Sequence, residues 1–132
     1  MGIDEPELLF VYGTLRPALA SGGHGGLVRE LERAGDATLP GLLLDLGAYP
    51  GLVAGDGVVH GELLRITDPG RLAALDDYED CGGTEPLFRR ERATARRVDG
   101  TPVAVWVYRY ARPAPHARPI ASGDYAAHVA GR

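Results

Sequence analysis

Apolar positions along the chain fall into short runs separated by glycine and proline, a pattern typical of a small β-rich protein. The first run, Leu8 to Val11, is rich in strand-forming residues and ends at Tyr12-Gly13, with Pro17 shortly after it. It predicts a buried strand that leads into a tight loop. A glycine in such a loop allows a ligand to approach the backbone, and successive N–H groups can bind a carboxylate or an oxyanion.

Helical spacing is found after the glycine-rich stretch 18–26. Leu27, Leu31 and Ala34 recur every three to four residues, which predicts a short helix that ends at Gly35.

An Asp-Gly pair at Asp56-Gly57 predicts a hairpin turn. The strand that begins with the apolar residues 42–44 would break at Gly47, and 58–66 would be the strand that returns from the turn. Gly61 inside the returning strand predicts close approach of another backbone, or a bulge.

The second Asp-Gly pair, Asp99-Gly100, is the clearest hairpin signal of the chain. It predicts two antiparallel strands over 88–98 and 101–110. The prolines of 111–119 then predict an extended segment.

A helix is predicted to begin at Asp68-Pro69, because aspartate caps a helix N-terminus and proline suits its first position. At about 100° per residue, Leu72, Leu75 and Glu79 fall on one stripe of this helix. Glu79 either lies on the apolar face, where burial and the negative helix end raise the pKa of its carboxyl, or lies in water at a frayed helix end. The pattern does not choose between the two. A raised pKa would suit a group that takes up and returns a proton near neutral pH.

Length and element content predict one domain over residues 1–132. Short strands with two modest helices favour an antiparallel or mixed sheet, and periodicity leaves a barrel and an open sheet undecided. No apolar run is long enough to span a bilayer, and the acidic Asp4-Glu5 is unlike a signal peptide. The single cysteine, Cys81, excludes an internal disulfide and fits a reducing compartment. We therefore expect a cytoplasmic protein.

Charge and basic-residue type exclude two classes of function. The net charge of −4 gives no general attraction for nucleic acid. All 14 basic residues are arginine, so no lysine can form a Schiff base or act as a general base.

The string Tyr12-Gly13-Thr14-Leu15 resembles the signature of the γ-glutamylcyclotransferase-like (AIG2-like) family, which includes the γ-glutamylamine cyclotransferases. Further motifs follow in the order that the family shows, and together they cover nearly the full chain. They are Tyr49-Pro50-Gly51-Leu52-Val53, Gly61-Glu62-Leu63, Leu75-Asp76-Asp77-Tyr78-Glu79, Phe88-Arg89-Arg90, Val105-Trp106-Val107-Tyr108 and Ile120-Ala121-Ser122-Gly123-Asp124-Tyr125.

This resemblance implies an α+β fold, a small mixed or antiparallel β-barrel with flanking short helices and a ligand cleft at one end. It implies that a γ-glutamyl amide is converted to 5-oxoproline by attack of the substrate's own α-amine. Glu79 falls on the position of the family's catalytic glutamate and would be the general acid/base. Tyr12, Gly13, Thr14 and Leu15 would bind the substrate. No metal, cofactor or covalent enzyme intermediate is required.

The roles of several neighbouring residues stay open. Arg16 would either oppose a substrate carboxylate or lie solvated on the surface. Tyr12 and Tyr108 would either line the cleft or pack in the core, where we also expect Trp106. The sequence Tyr49-Pro50-Gly51 is equally consistent with a pocket wall and with a plain turn.

This chain departs from the family's pattern in two places. Phe88 stands where a tyrosine often precedes the arginine pair, and no role is assigned to His24 in the glycine-rich loop. The leaving amine is therefore not determined.

Other chemistry is less well supported by the residues. Cys81 lies beside acidic Asp80, a setting that does not favour a thiolate nucleophile. The acidic residues at 76–80 lack the ligand spacing of a calcium loop, and the four histidines lack that of a zinc site. The alternating arginines of 90–96 predict a solvated sheet face rather than an RNA site.

The alternative to an enzyme is a small-molecule-binding or regulatory module of the same fold that does not turn over its ligand. In either case the expected partner is a small γ-glutamyl compound, and the chain is a monomer or a homodimer.

Overall fold

The computed structural model describes residues 7–12, 31–46, 50–66, 70, 73, 75 and 88–130. Six β-strands and one helix with defined bounds lie in this part of the chain. They are β1 (Leu8–Val11), β2 (Glu32–Asp45), β3 (Pro50–Arg65), β4 (Phe88–Arg97), β5 (Pro102–Tyr110), β6 (Arg118–Pro119) and α1 (Tyr125–Ala130). The backbone is also helical at Gly70, Ala73 and Leu75.

Five of these strands form a closed barrel in the order β3-β1-β5-β4-β2, and pairing of β2 with β3 completes the ring. β1 runs parallel to β5, with Leu9 opposite Trp106, and the other pairings are antiparallel. β6 pairs with the end of β2 at Leu44 and Asp45. The barrel is therefore mixed and helices are few in the described part of the chain, which confirms the predicted fold class.

Alternation along β1 divides the core into two clusters, because successive side chains of a strand point to opposite faces. Leu8, Phe10 and Tyr12 pack with Leu43, Leu52, Val59, Leu63, Val105 and Val107 in the first cluster. Leu9 and Val11 pack with Leu31, Leu64, Leu75, Phe88 and Tyr108 in the second. The opening strand is buried on both faces, as its unbroken apolar sequence predicts.

The predicted hairpin at Asp56-Gly57 is wrong. β3 runs without interruption through these residues, and Asp45 pairs with Pro50, so the chain reverses between those two positions. Pro40 lies opposite Val58 but Leu42 lies opposite Val53, so residues 54–57 form a bulge in β3. This register buries Leu43 and Leu52 completely, and that long-range packing overrides a local turn signal.

The predicted helix that ends at Gly35 is also wrong over its described part. β2 begins at Glu32, and Arg33 pairs with Leu64 of β3. The register shifts between Arg33 and Gly35, and Gly35 has a φ of 109°. The glycine therefore serves a β-bulge instead of a helix end. Leu27 lies outside the described residues.

The hairpin at Asp99-Gly100 is confirmed. The Gly100 N–H donates to the Arg97 carbonyl at 2.8 Å, and the Arg97 N–H donates to the Thr101 carbonyl at 2.9 Å. Gly100 adopts a φ of 89°, as a three-residue hairpin loop requires. The Thr101 N–H donates to the Asp99 carboxylate at 2.9 Å, and the hydrogen bonds from Thr101 hold the pKa of Asp99 below its usual value.

The segment after β5 completes the barrel wall. The chain turns at Pro115-His116, where the Ala117 N–H donates to the Ala114 carbonyl at 3.1 Å, and is a strand only at Arg118–Pro119, so the extended segment predicted over 111–119 is confirmed only at its end. The helix α1 that follows was not predicted. β1 pairs with β3 only as far as the Val11–Glu62 pair. Beyond that pair the His60 N–H donates to the Gly123 carbonyl at 2.7 Å, so the C-terminal segment takes the place of β1 beside β3.

Candidate functional site

The end of β1 is held in place by the phenol of Tyr12. Tyr12 is buried, its hydroxyl donates to the Tyr108 carbonyl at 2.5 Å, and its oxygen accepts from the Leu52 N–H at 3.3 Å. One side chain thus joins the end of β1 to β5 and to the start of β3. These two contacts give Tyr12 a structural role, and its assignment to substrate binding stays a prediction.

The segment Pro50-Gly51 lies beside the same end of the barrel. A Cβ built on Gly51 would lie 2.8 Å from the Tyr110 Cβ, so glycine is needed for β3 to approach β5 this closely. The Tyr110 ring meets the buried Phe88 ring edge-on, with centroids 5.6 Å apart. The structure therefore brings the Tyr12 side chain to the Tyr108 backbone and to the Pro50-Gly51 segment. The Tyr108 side chain is buried in the second core cluster, on the opposite face of the sheet from Tyr12.

The helical backbone at Leu75 packs against the outer face of this barrel end. Leu75 is fully buried, in one cluster with Val11, Phe88 and Tyr108. This agrees with a predicted helix that buries Leu75, whose predicted start at Asp68-Pro69 lies outside the described residues. Glu79, Gly13, Thr14 and Leu15 lie outside the described residues, so their assignment to catalysis and substrate binding stays a prediction. Arg16, His24, Tyr49 and Cys81 also lie outside them.

Sequence reasoning missed a buried carboxylate on β3, next to the end of β1. Glu62 is 4% exposed, and it lies opposite Val11 in the β1–β3 ladder. Its Oε2 accepts a hydrogen bond from the Arg33 Nε at 2.8 Å. The hydrogen bond to Glu62 and the charge of Asp36 raise the pKa of Arg33, so the guanidinium is charged throughout the neutral range. A glutamate between Gly61 and a Leu-Leu pair is a signal from which a buried carboxylate could have been predicted, but it does not identify Arg33 as the partner.

Gly61, the neighbour of Glu62, fulfils the predicted close approach of backbones. A Cβ on this residue would collide with the Val11 carbonyl oxygen and would lie 2.7 Å from the Phe10 Cζ. The strand can therefore pass under the end of β1 only with glycine at this position.

The arginines of β4 are arranged around Trp106, which is half-buried rather than enclosed in the core. The Arg90 guanidinium lies 4.3 Å from the centroid of the Trp106 ring, and that of Arg92 lies 5.3 Å from it. Both distances fit cation–π contacts. These arginines thus have a packing role on the outer sheet face, in addition to the solvated role that the alternation predicts.

No group of three or more histidine, cysteine or acidic residues in the described part of the chain is arranged to hold a metal ion. Within the same residues, no helix is long and apolar enough to cross a membrane.

Replacing Tyr12 with phenylalanine is expected to lower the free energy of unfolding by about 1–2 kcal/mol, because a buried hydrogen bond is lost. Tyr110→Phe is the matched control, since the Tyr110 hydroxyl makes no hydrogen bond within the described residues. That variant should change the free energy by less than about 0.5 kcal/mol. Urea unfolding measures both changes, and equal effects would show that the Tyr12 hydroxyl contributes nothing specific.

Comparison with known proteins places this fold and these motifs in a family. The family described as gamma-glutamyl cyclotransferase, AIG2-like matches residues 9–127. The gamma-glutamylcyclotransferase family protein YtfP of Escherichia coli (strain K12) is 37% identical over 119 residues, which cover 89% of this chain and 94% of that protein.

Two solved structures support the same assignment. The solution structure of ytfP from Escherichia coli has a TM-score of 0.63 at 34% identity and covers 89% of this chain and 95% of that one. An AIG2-like protein from Mus musculus has a TM-score of 0.68 at 26% identity, covering 83% and 80% of the two chains. The chain therefore belongs to the gamma-glutamyl cyclotransferase, AIG2-like family.

Proposed function

We propose that this protein is a γ-glutamyl cyclotransferase that acts on γ-glutamyl amines, with Glu79 as the general acid/base. The observation that carries the proposal is the burial of Leu75 in one cluster with Val11 and Tyr108. Leu75 belongs to the segment that leads to Glu79, and Val11 leads directly into the Tyr12-Gly13 loop. These contacts support an arrangement in which the two sequence motifs that the reaction needs lie at one end of the barrel.

The reaction needs one proton acceptor and a means of holding the substrate in a folded conformation. Glu79 takes a proton from the α-ammonium, because a protonated amine has no electron pair with which to attack. The freed α-nitrogen bonds to the γ-carbonyl carbon and closes the five-membered lactam. The amide C–N bond then breaks as Glu79 returns the proton to the departing nitrogen. The ring nitrogen loses its second hydrogen as a proton, which the released amine takes up, so 5-oxoproline and an ammonium product are formed.

The loop over Tyr12 to Leu15 would supply the second requirement. Its N–H groups would bind the α-carboxylate of the substrate or the developing oxyanion, a contribution that is commonly worth about 3–4 kcal/mol in enzymes. Because the attack is intramolecular, holding the reacting atoms together supplies much of the remaining acceleration. The Tyr12 hydrogen bonds to β5 and β3 would keep the start of this loop rigid.

The test is incubation with a panel of γ-glutamyl amines and γ-glutamyl peptides, followed by assay of 5-oxoproline and free glutamate. Formation of 5-oxoproline from at least one amine, lost in Glu79→Gln with substrate binding retained, is the expected result. Saturable binding without turnover would instead identify a binding module. Release of free glutamate would mean that water attacks in place of the internal amine, and it would overturn the cyclotransfer proposal.

A further inference from the structure

A second feature at this end of the barrel is a cleft of about 360 Å³ between β3 and the β4–β5 pair. It is lined by Val53 and Ala54 of β3, Arg89 and Glu91 of β4, and Arg109 and Tyr110 of β5. Val53 follows Leu52, whose N–H meets the Tyr12 hydroxyl, and Tyr110 adjoins Gly51. The cleft therefore begins one residue away from the contacts that hold the end of β1.

The charges in this cleft are unbalanced. Arg89 lies directly opposite Arg109 in the β4–β5 ladder, an arrangement that places two like charges side by side. Glu91 forms an ion pair with the Arg109 Nε at 3.0 Å. Within the described residues, no carboxylate lies within ion-pair distance of Arg89, which is exposed to the cleft mouth. Two arginines thus face one carboxylate, and one positive charge has no partner there.

On the basis of the proposed function, we infer that this cleft binds an anionic group on the leaving amine of the substrate, with Arg89 as the specificity residue. A carboxylate or a phosphate would neutralise Arg89 and relieve the repulsion between Arg89 and Arg109. A neutral amine would gain nothing from the cleft, and a cationic amine would be repelled by it. The substrate class is then γ-glutamyl amines whose amine portion carries a negative charge.

Binding is measured on the Glu79→Gln variant, so that ligands are not consumed, with three γ-glutamyl amides of similar length. They are those of β-alanine, propylamine and 1,3-diaminopropane, and the amide of phosphoethanolamine distinguishes phosphate from carboxylate. The expected order of affinity is anionic, then neutral, then cationic. Arg89→Gln should weaken binding of the anionic amides about 2- to 5-fold and leave the neutral amide unchanged, the size usual for one exposed charge pair. Raising the ionic strength should remove the difference.

Two further variants, each of which removes one charge, serve as controls. Glu91→Gln removes the only carboxylate among the lining residues named above and should tighten binding of the anionic amides, the opposite of Arg89→Gln. Arg118→Gln removes an exposed arginine of β6, outside the cleft, and should leave all affinities unchanged.

Turnover of the same amides by the unmodified protein separates the two proposals. Equal affinity for the anionic and neutral amides, or no effect of Arg89→Gln, overturns the inference about the cleft even when 5-oxoproline is formed. Preferential binding of the anionic amides without 5-oxoproline supports the cleft and overturns the proposed reaction. No binding of any amide overturns both.

Discussion

Glu79→Gln is expected to lower kcat for cyclisation of a γ-glutamyl amine by about 10²- to 10⁴-fold, the range typical of a lost general acid/base. Glutamine keeps the size and much of the polarity of the side chain but cannot accept the α-ammonium proton or return it to the leaving nitrogen. KM should change little, because the loop after β1, and not Glu79, is expected to bind the α-carboxylate. Steady-state assay of 5-oxoproline measures both constants.

A matched control for this prediction lies two residues away. Asp77→Asn removes one negative charge from the same segment, at a position that the helical stripe predicts to lie off the Leu72–Leu75 face. Its kcat should remain within a few fold of the original value. The acidic limb of the pH–rate profile should persist in Asp77→Asn and disappear in Glu79→Gln. Equal losses in the two variants would show that the acidic segment acts only by its charge.

The parts of the fold that sequence predicted well depend on local interactions. The Asp99-Gly100 hairpin is one case, because a glycine at positive φ and an aspartate that accepts the Thr101 N–H form the turn within five residues. The first strand is another, because an apolar run followed by glycine needs no distant partner to be recognised. The helical backbone at Leu75 likewise follows from a local capping signal.

The errors arise where distant strands decide the local conformation. Asp56-Gly57 carries the same turn signal as Asp99-Gly100, yet it forms a bulge. The long β2–β3 ladder buries the Leu43–Leu52 pair on one side of this bulge and the Leu39–Val59 pair on the other. Gly35 looked like a helix end for a similar reason. A glycine with φ > 0 suits both a helix terminus and a β-bulge, and only the pairing with β3 distinguishes them.

For the candidate site, part of what the sequence predicted lies within the described residues. The resemblance marked Tyr12, the Pro50-Gly51 segment and Tyr108. The structure joins the Tyr12 hydroxyl to the Tyr108 carbonyl and to the Leu52 N–H beside Gly51, while the Tyr108 side chain is buried in the second core cluster. The sequence did not reveal the Glu62–Arg33 ion pair, because nothing in sequence spacing relates residue 33 to residue 62. Nor did it reveal the excess charge at Arg89, which depends on the β4–β5 register.

The C-terminal segment is a second place where long-range pairing was invisible in the sequence, and it yields the largest expected effect on stability. Gly123 has a φ of 68°, and its carbonyl accepts the His60 N–H where β1 no longer covers β3. A Cβ at this position would overlap the Val58 carbonyl oxygen and would lie 3.0 Å from its carbon. Both the backbone conformation and the space therefore require glycine.

Gly123→Ala is expected to lower the free energy of unfolding by about 3–4 kcal/mol. Of this, about 1–2 kcal/mol comes from the left-handed backbone, and the remainder comes from overlap with β3. Gly100→Ala isolates the first contribution, because Gly100 also has a positive φ of 89° but a Cβ there would meet no atom within 4 Å. It should cost about 1–2 kcal/mol. Gly61→Ala isolates the second, because its Cβ would collide with Val11 and no positive φ is involved.

Urea unfolding of the three variants at unchanged m-values provides the comparison. The loss for Gly123→Ala should exceed that for Gly100→Ala by at least about 1 kcal/mol, because overpacking of a filled space adds to backbone strain. A loss no greater than that of Gly100→Ala would mean that the C-terminal segment can move away from β3 at no cost. In that case the His60–Gly123 hydrogen bond would contribute nothing to stability, because a segment that moves freely cannot hold the edge of β3 beyond the end of β1.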